Sequence, residues 1–597
     1  MQLSKLYSDR PQDYQPVTFV AGLNVVIAEI RLPENKARDT HNLGKSTLGR
    51  MLDFCFLADR DKNFFLFKYF DRFSEYCFFL EIQLLDGTFL TIRRSVRSHS
   101  RISFKRHLSP DQDYSGLPVE AWDHSEVPIE RAQSILDGLL DWRPMKPWPY
   151  RKGLGYFLRS QDDFREVFQL RRFAAAHGDW KPFLAHLLGF DSTTITQHYQ
   201  KEFALEEAKK QEDVVKGELG GSVEDVSKID GILLLKRAQV DKTQAQLDAF
   251  DFRNQDKTDT KRLVEEIDDR IAQLNESRYV LSQSRKKVVA SIKEDAVLFE
   301  PDKAAQLFKE AGILFEGQIK KDFEQLIGFN RAITEERRAY LEQERAEIDF
   351  QLKEIGSELT KFGKQRAESL AYLTETDALE KYKRASNKLI DLRADIVSLE
   401  RQRQFISKLQ ELRKNIRTLG GDLRELQSTI EADVEKQNTD DKSLFSTIRL
   451  YFSDIVEAVI DRKALLSVSV NQKGHLEYKA EILSISGEST SADVGHTYRK
   501  LLCIAFDLAL LRAYIAMPFP RFAYHDGVFE SLDDRKKENL LSVLRSYAEL
   551  GLQPVITLID SDSPPSAPGT SAFSESEIVL RLHDEGPKGR LFMIESW

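Results

Sequence analysis

The sequence predicts a split α/β head, assembled from an N-terminal and a C-terminal lobe, with a long antiparallel coiled coil running out and back between them. Three observations lead there. Proline, whose ring and missing N–H break helices, occurs once between Pro182 and Pro518, at Pro301. Apolar residues recur every seven positions through the same region. Each flank holds short β-type runs that make only part of an α/β domain, so the two must be brought together.

Along the chain, Val17–Val20 and Asn24–Ala28 read as strands around a turn at Gly22, and 76–85 and 88–96 as a hairpin joined at Asp86-Gly87. The N-terminal lobe is expected over 1–193. The outgoing coil is expected over 194–293, where Ile267, Leu274 and Leu281 repeat every seven with Ile271 four after the first. The returning coil, expected over 334–440, repeats Leu341, Ile348, Ile355 and Phe362, with Leu352 and Leu359 offset by four, and then Leu392, Leu399 and Ile406. Each arm would extend roughly 150 Å if wholly helical. The aromatic- and glycine-richer 294–333 is the expected turn or decoration, with the LTETDALEKY stretch a rival apex. Gly217, Gly220, Gly221, Gly420 and Gly421 are expected discontinuities, and a compact helical bundle is the alternative architecture. In the C-terminal lobe, 441–597, Phe522–Tyr524 and Pro554–Ile559 read as short strands flanking a helix.

Composition bounds the function. At 597 residues the chain exceeds what one compact core usually holds. With 31% charged and 41% hydrophobic residues, it suits a core plus long exposed helices. The net charge of -9 excludes a chain basic throughout, but nucleic-acid binding needs only a local cationic surface. Cys55, Cys77 and Cys503 form no CxxC pair, so neither a disulfide framework nor a zinc ribbon is signalled, and a coil without cysteine excludes a zinc hook. The first residues carry no apolar secretory core. The most apolar stretch, Leu501–Phe519, is interrupted by Asp507 and Arg512. A soluble, cytoplasmic protein without a membrane partner is expected.

Asn42-Leu43-Gly44-Lys45-Ser46-Thr47 follows a predicted strand and opens a helix. A phosphate loop needs inward N–H groups, an ammonium for the β and γ phosphates and a hydroxyl for Mg²⁺; Gly44, Lys45 and Ser46 supply them. The first glycine of the full pattern falls at Asp39, after an unusual insertion at 31–38. In the C-terminal flank a short apolar strand ends at Asp526, placed to hold Mg²⁺, with Gly527 next and Glu530 close by. Ala492-Asp493-Val494-Gly495-His496 precedes a long apolar helix whose N-terminus favours an anion. Gln161 follows a strand-like run before the coil.

The order of these motifs resembles SMC, RecF and RecN-type ATPases across both flanks. The resemblance implies an ABC-type ATPase head binding ATP and Mg²⁺. Gln161 would stand in the Q-loop, Asp493, Gly495 and His496 in the signature that meets nucleotide on the opposite subunit of a head-to-head homodimer, and Asp533 in the D-loop. Gly527 stands where the water-activating glutamate is usual, so Glu530 is the candidate base and hydrolysis is expected to be slow. The usual switch histidine is missing, leaving Asp560 or Thr557 to substitute. More narrowly, Asp-Thr-His-Asn before the GKST, YFLRSQDDF, LFKEAGILFEGQIKKDFEQL and EIVLRLHDEGPKGRLF resemble the SMC-like component of bacterial three-component ABC defence operons, the Lamassu type. That implies sensing of foreign DNA and control of a separately encoded effector nuclease through an adaptor.

Two acid-poor basic stretches suggest a surface for the phosphate backbone of double-stranded DNA, without base readout. One holds Arg93, Arg94, Arg97, Arg101, Lys105 and Arg106; the other includes Arg151 and Lys152. The competing readings are a nucleotide-stabilised scaffold that hydrolyses nothing, a DNA-repair ATPase of the RecN kind, and a purely structural coiled-coil protein, which the ordered head motifs disfavour.

Overall fold

Near-continuous apolar runs such as Asn24–Glu29 and Gln553–Ile559, buried on both faces, have the pattern of central parallel strands. A computed structural model describes residues 1–32, 35, 43–170, 177–219, 225–249, 255–294, 317–371, 376–484, 496–566 and 570–595. It divides into two units, Met1–Phe203 with Gly421–Trp597, and Ala204–Gly420.

The first unit holds two large sheets. One is six-stranded and antiparallel, in the order β2-β1-β4-β5-β6-β7. Its strands are β1 (Gln2–Ser8), β2 (Val17–Thr18), β4 (Cys77–Gln83), β5 (Phe89–Ser95), β6 (Arg101–His107) and β7 (His124–Pro128). The expected hairpin is β4–β5, turned at Gly87, whose φ of 84° suits glycine. The other sheet is five-stranded and wholly parallel, in the order β13-β3-β12-β11-β8. It comprises β3 (Asn24–Glu29), β8 (Leu158–Arg159), β11 (Phe522–His525), β12 (Gln553–Ile559) and β13 (Ile578–His583). β3 lies between two strands from the far end of the chain, and β8 pairs with β11, so neither flank owns this sheet alone. A separate hairpin, β9 (Ala464–Val470) with β10 (Leu476–Ile482), completes the strands among the described residues of this unit.

The helices of the N-terminal flank are α1 (Lys45–Cys55), α2 (Phe65–Lys68), α3 (Phe70–Phe73), α4 (Ile129–Leu140), α5 (Tyr150–Gly153) and α6 (His177–Leu187). The long helices follow: α7 (Ser192–Leu219), α8 (Val226–Asp248), α9 (Gln255–Glu294), α10 (Gly317–Ala371) and α11 (Thr376–Thr439). The C-terminal flank adds α12 (Leu444–Ile460), α13 (His496–Ala513) and α14 (Asp534–Glu549). The first unit ends at Phe203 and resumes at Gly421, beyond the expected 193 and 441. The reason is packing: Ile195 of α7 and Ile430 and Val434 of α11 belong to its core, and Lys201 pairs with Asp422 at 2.7 Å.

The second unit corrects the expected coil. α8 and α11 are antiparallel, since Asp230, Lys236 and Gln244 meet Arg403, Asp395 and Arg393. α9 runs parallel to α11, with Asp269 against Arg393 at 3.0 Å and Tyr279 against Ser398 at 3.0 Å. α9 and α10 are antiparallel, Asp268 meeting Arg366 at 2.5 Å and Arg285 meeting Asp349. The arm is therefore two helical hairpins that pack together, not one helix out and one back. Leu247 near the end of α8, Val264 near the start of α9, Leu370 near the end of α10 and Tyr382 and Leu389 near the start of α11 form one core; residues 250–254 and 372–375 are outside those described. The helices on either side of the rival apex at LTETDALEKY, α10 and α11, run antiparallel, while most of that stretch lies outside the described residues. Towards the other end of α9, Lys287 lies over Phe405, near the level of Asp230 and Arg403; residues 295–316, which include most of the expected turn, are outside those described. A second core joins Val215, Ile229 and Leu233 to Ile406 and Leu409.

Ile267, Leu274, Ile348, Leu392 and Ile406 of the sevenfold pattern are buried. α11 continues unbroken through Gly420 and Gly421, and α7 through Gly217. Among the described residues no helix is long and apolar enough to cross a membrane, and all three cysteines are buried and free.

Candidate functional site

The loop after β3 meets α1 at Gly44, the residue before its first helical position. Gly44 has φ 107°, and a Cβ there would stand 2.7 Å from that of Leu591, so backbone and space both call for glycine. Lys45 is nearly buried, with its carbonyl accepting from the Tyr524 hydroxyl at 2.8 Å. Ser46 is exposed and Thr47 half-buried in the same first turn.

Asp526 follows β11 and is fully buried. Its Oδ1 accepts from Thr557 Oγ1 of β12 at 2.5 Å, while its Oδ2 has no hydrogen-bond partner among the described residues. Thr557 also accepts from the Gly527 amide at 3.1 Å. Of the two candidates for the missing histidine it is Thr557 that reaches Asp526; Asp560 opens an exposed turn.

Glu530 is the centre of the site. Its carboxylate takes Gln161 Nε2 at 3.0 Å and Lys500 Nζ at 3.3 Å, and faces Lys45 Nζ at 3.8 Å. Lys500 also donates to the Gly527 carbonyl at 2.8 Å. Gly527 has φ 68°, and a Cβ on it would fall 2.5 Å from Glu530 Oε1. The glutamate carboxylate thus occupies the space a side chain at 527 would need. Gln161, Asp162, Arg165, Lys500 and Glu530 line a cleft there.

A buried support lies beneath. Arg159, the residue that ends β8, forms a two-pronged pair with Asp507 of α13 at 2.6 and 3.0 Å. It donates as well to the carbonyls of Asp163, Glu166 and Val167, fixing the turn that carries Gln161. Asp507 also meets His525 Nε2 at 3.0 Å. The sequence reading missed Lys500, Arg159 and Asp507 as site residues. A signal existed: Asp507 is a carboxylate inside an apolar helix, and a buried charge needs a partner.

Asp533 is the N-cap of α14, accepting from the Lys536 amide at 3.1 Å and pairing with its ammonium at 2.6 Å. The Lys536 side chain and amide hold its carboxyl below the usual range. Asn42, Asp493 and Gly495 lie outside the described residues, as does the side chain of His496, although α13 begins at that residue.

The expected basic surface is largely spent on internal partners. Arg94 is a correction: it is fully buried, donating to the carbonyls of Phe54 at 2.5 Å and His99 at 3.0 Å and lying over the Phe54 ring. Burial pushes its guanidinium down to about 10, so it stays charged at neutral pH. Arg93 and Arg94 are strand neighbours and must face opposite sides of β5. Arg93 pairs with Glu126 at 3.6 Å, Arg97 with Glu75, Lys105 with Asp123 at 2.7 Å and Arg106 with Asp86. Arg101 donates to the Glu126 carbonyl at 3.3 Å. Arg151 holds Asp53 at 2.7 Å and the Phe56 carbonyl, and Lys152 pairs with Asp179.

Residues 455–596 match a sequence family described as an uncharacterised protein conserved in bacteria, DUF2326. No curated protein matches. Among solved structures, the Smc head domain with a coiled coil and joint from Pyrococcus yayanosii is similar at 14% identity and TM-score 0.34, over 93% of this chain and 92% of that one. The Smc head domain with an extended coiled coil from Pyrococcus furiosus, bound there to the C-terminal domain of ScpA, is similar at 12% identity and TM-score 0.30, over 93% and 89%. A Smc head bound to the winged-helix domain of ScpA covers 22% of this chain and 41% of that one, at 22% identity and TM-score 0.16. All three TM-scores are low, and the fold described above rests on strand order and register.

Proposed function

We propose that this chain is an ATP-binding head protein of the ABC type, SMC-like in class, that joins a second copy through nucleotide and hydrolyses ATP slowly. One observation carries the reading: Lys45 after β3, Gln161 after β8, Asp526 after β11 and Thr557 on β12 gather with Lys500 and Glu530 at the carboxyl ends of neighbouring parallel strands. Open α/β sheets bind ligands at those ends.

The residues fit Mg²⁺. The Oδ2 of Asp526 is a buried acceptor without a donor among the described residues, and the Ser46 hydroxyl in the first turn of α1 would supply a second oxygen of the kind such an ion takes. Bound Mg²⁺ would neutralise phosphate charge. Lys45 then turns from Glu530 to the phosphates, Gln161 orients the attacking water, and Glu530, freed of one ammonium, accepts its proton. Lys500 keeps Glu530 aimed from the other side.

Binding of double-stranded DNA by the head dimer, and coupling to separately encoded adaptor and nuclease subunits in bacterial defence, extend this reading along the sequence resemblance. The scaffold alternative draws on Gly527, which leaves the usual base position without a carboxylate. Steady-state turnover separates the two. Glu530→Gln should retain Mg²⁺-dependent nucleotide binding while losing about 10²-fold or more in rate, and Asp526→Ala should lose the Mg²⁺ dependence of binding. A rate unmoved by Glu530→Gln rejects Glu530 as the base, and a wild-type chain that binds ATP without turning it over is the scaffold.

A further inference from the structure

His198 and Glu202 stand four residues apart on α7, hence on one face of it. His475 closes the β9–β10 turn and meets Glu202, its Nε2 lying 2.7 Å from Oε2. A donor atom from each of the three lies within 4.8 Å of the others.

The surroundings hold these groups in place. The Asn471 side-chain oxygen accepts from the amides of Lys473 and His475, which fixes the turn. The Tyr199 ring stacks on His475 at 4.6 Å between centroids. Gly474, with φ 79°, lies so close to His198 that a Cβ on it would come 2.6 Å from Nε2. His198 itself is only 3% exposed, and its Nδ1 has no hydrogen-bond partner among the described residues. A plain ion pair between His475 and Glu202 explains two of the three residues. It gives no reason for a second imidazole buried beside them with an unsatisfied nitrogen, which costs free energy.

We propose that His198, Glu202 and His475 bind a divalent first-row transition-metal ion of the zinc class. Two imidazoles and one carboxylate are borderline donors that suit Zn²⁺ and leave a fourth position open. The ion would clip the start of α7 to the β9–β10 hairpin, joining segments 273 residues apart in sequence. It uses no residue of the strand-end site.

The test uses the full chain, freed of any affinity tag, stripped with a chelator and titrated with Co²⁺, then with Zn²⁺ in competition. One equivalent of Co²⁺ should bind with visible d–d absorption and be displaced by Zn²⁺, and Zn²⁺ should raise Tm. Glu202→Gln, which keeps a hydrogen-bonding group of the same shape, and His198→Gln should each weaken binding on the order of 100-fold and abolish the Tm rise. Lys45→Ala and Asp526→Asn should leave both unchanged. If His198→Gln does not fold, Glu202→Gln decides. Absence of a saturable single equivalent in wild type, or undiminished binding by a folded Glu202→Gln chain, overturns the proposal.

Discussion

Two charged regions of the first unit are built on opposite plans. At the strand ends two ammonium groups and an amide converge on one carboxylate, Glu530, so that none is fully matched and all are placed to change partners. Along β5 and β6 each cation has an acid or carbonyl of its own, as in Arg93 with Glu126, Lys105 with Asp123 and Arg106 with Asp86. Convergence of unlike charges on one carboxylate in a cleft is the arrangement on which the proposed nucleotide site rests. One-to-one pairing on an exposed sheet gives each cation a partner that an incoming polyanion would have to replace.

Substitutions sharpen that contrast. The largest effect is expected below the cleft, where Asp507→Ala strands the Arg159 guanidinium without its buried partner. Such a loss costs about 3–5 kcal/mol. A chemical denaturation midpoint should fall accordingly, and a change under about 1 kcal/mol would show that the pair is not buried as described.

A smaller effect is expected at Gly527→Ala. The new methyl must displace the Glu530 carboxylate and sit at positive φ. A backbone conformation of that kind costs about 1–3 kcal/mol, and turnover should drop roughly tenfold for each 1.4 kcal/mol of misplacement. Full activity would mean that the Glu530 position is irrelevant to chemistry.

The smallest effect belongs to the sheet face. Reversing Arg97 and Arg101 to Glu breaks only exposed contacts, each worth about 0–1 kcal/mol of stability. If this face nevertheless tracks DNA, affinity for DNA of any sequence should fall and log Kd should depend less steeply on log salt. Unchanged binding across a salt series would place the DNA surface elsewhere. Arg94 is left out because replacing it would test the core.

How much was legible follows from how local each signal is. Gly44-Lys45-Ser46 lies within one strand–loop–helix step, and its strand, turn glycine and helix stand where local propensity puts them. Gly527 and Glu530 are three residues apart, and the nearness of the Glu530 carboxylate to position 527 could be expected without the fold. Lys500 reaches the site from a segment far away in sequence, and nothing local marks it; Thr557 was one of two candidates for the missing histidine, and only its contact with Asp526 separates it from Asp560. The arm failed differently. A sevenfold repeat says that a helix face is covered but not which helix covers it, and the seam of α9 faces both α10 and α11. The pairing of the described helices, α8 with α11 and α9 with both α10 and α11, follows from contacts between segments far apart in sequence. On β5 the alternation of a strand already required one of Arg93 and Arg94 to point inward.

The central claim is that nucleotide binds at the strand ends through Lys45. Equilibrium binding of a fluorescent ATP analogue with Mg²⁺, to wild type and to Lys45→Ala, tests it most directly. Loss of a charge-assisted phosphate contact of about 1.5–3 kcal/mol predicts a Kd higher by roughly 10- to 100-fold, with Tm of the free chain nearly unchanged. Equal affinity of the two folded chains would contradict the account.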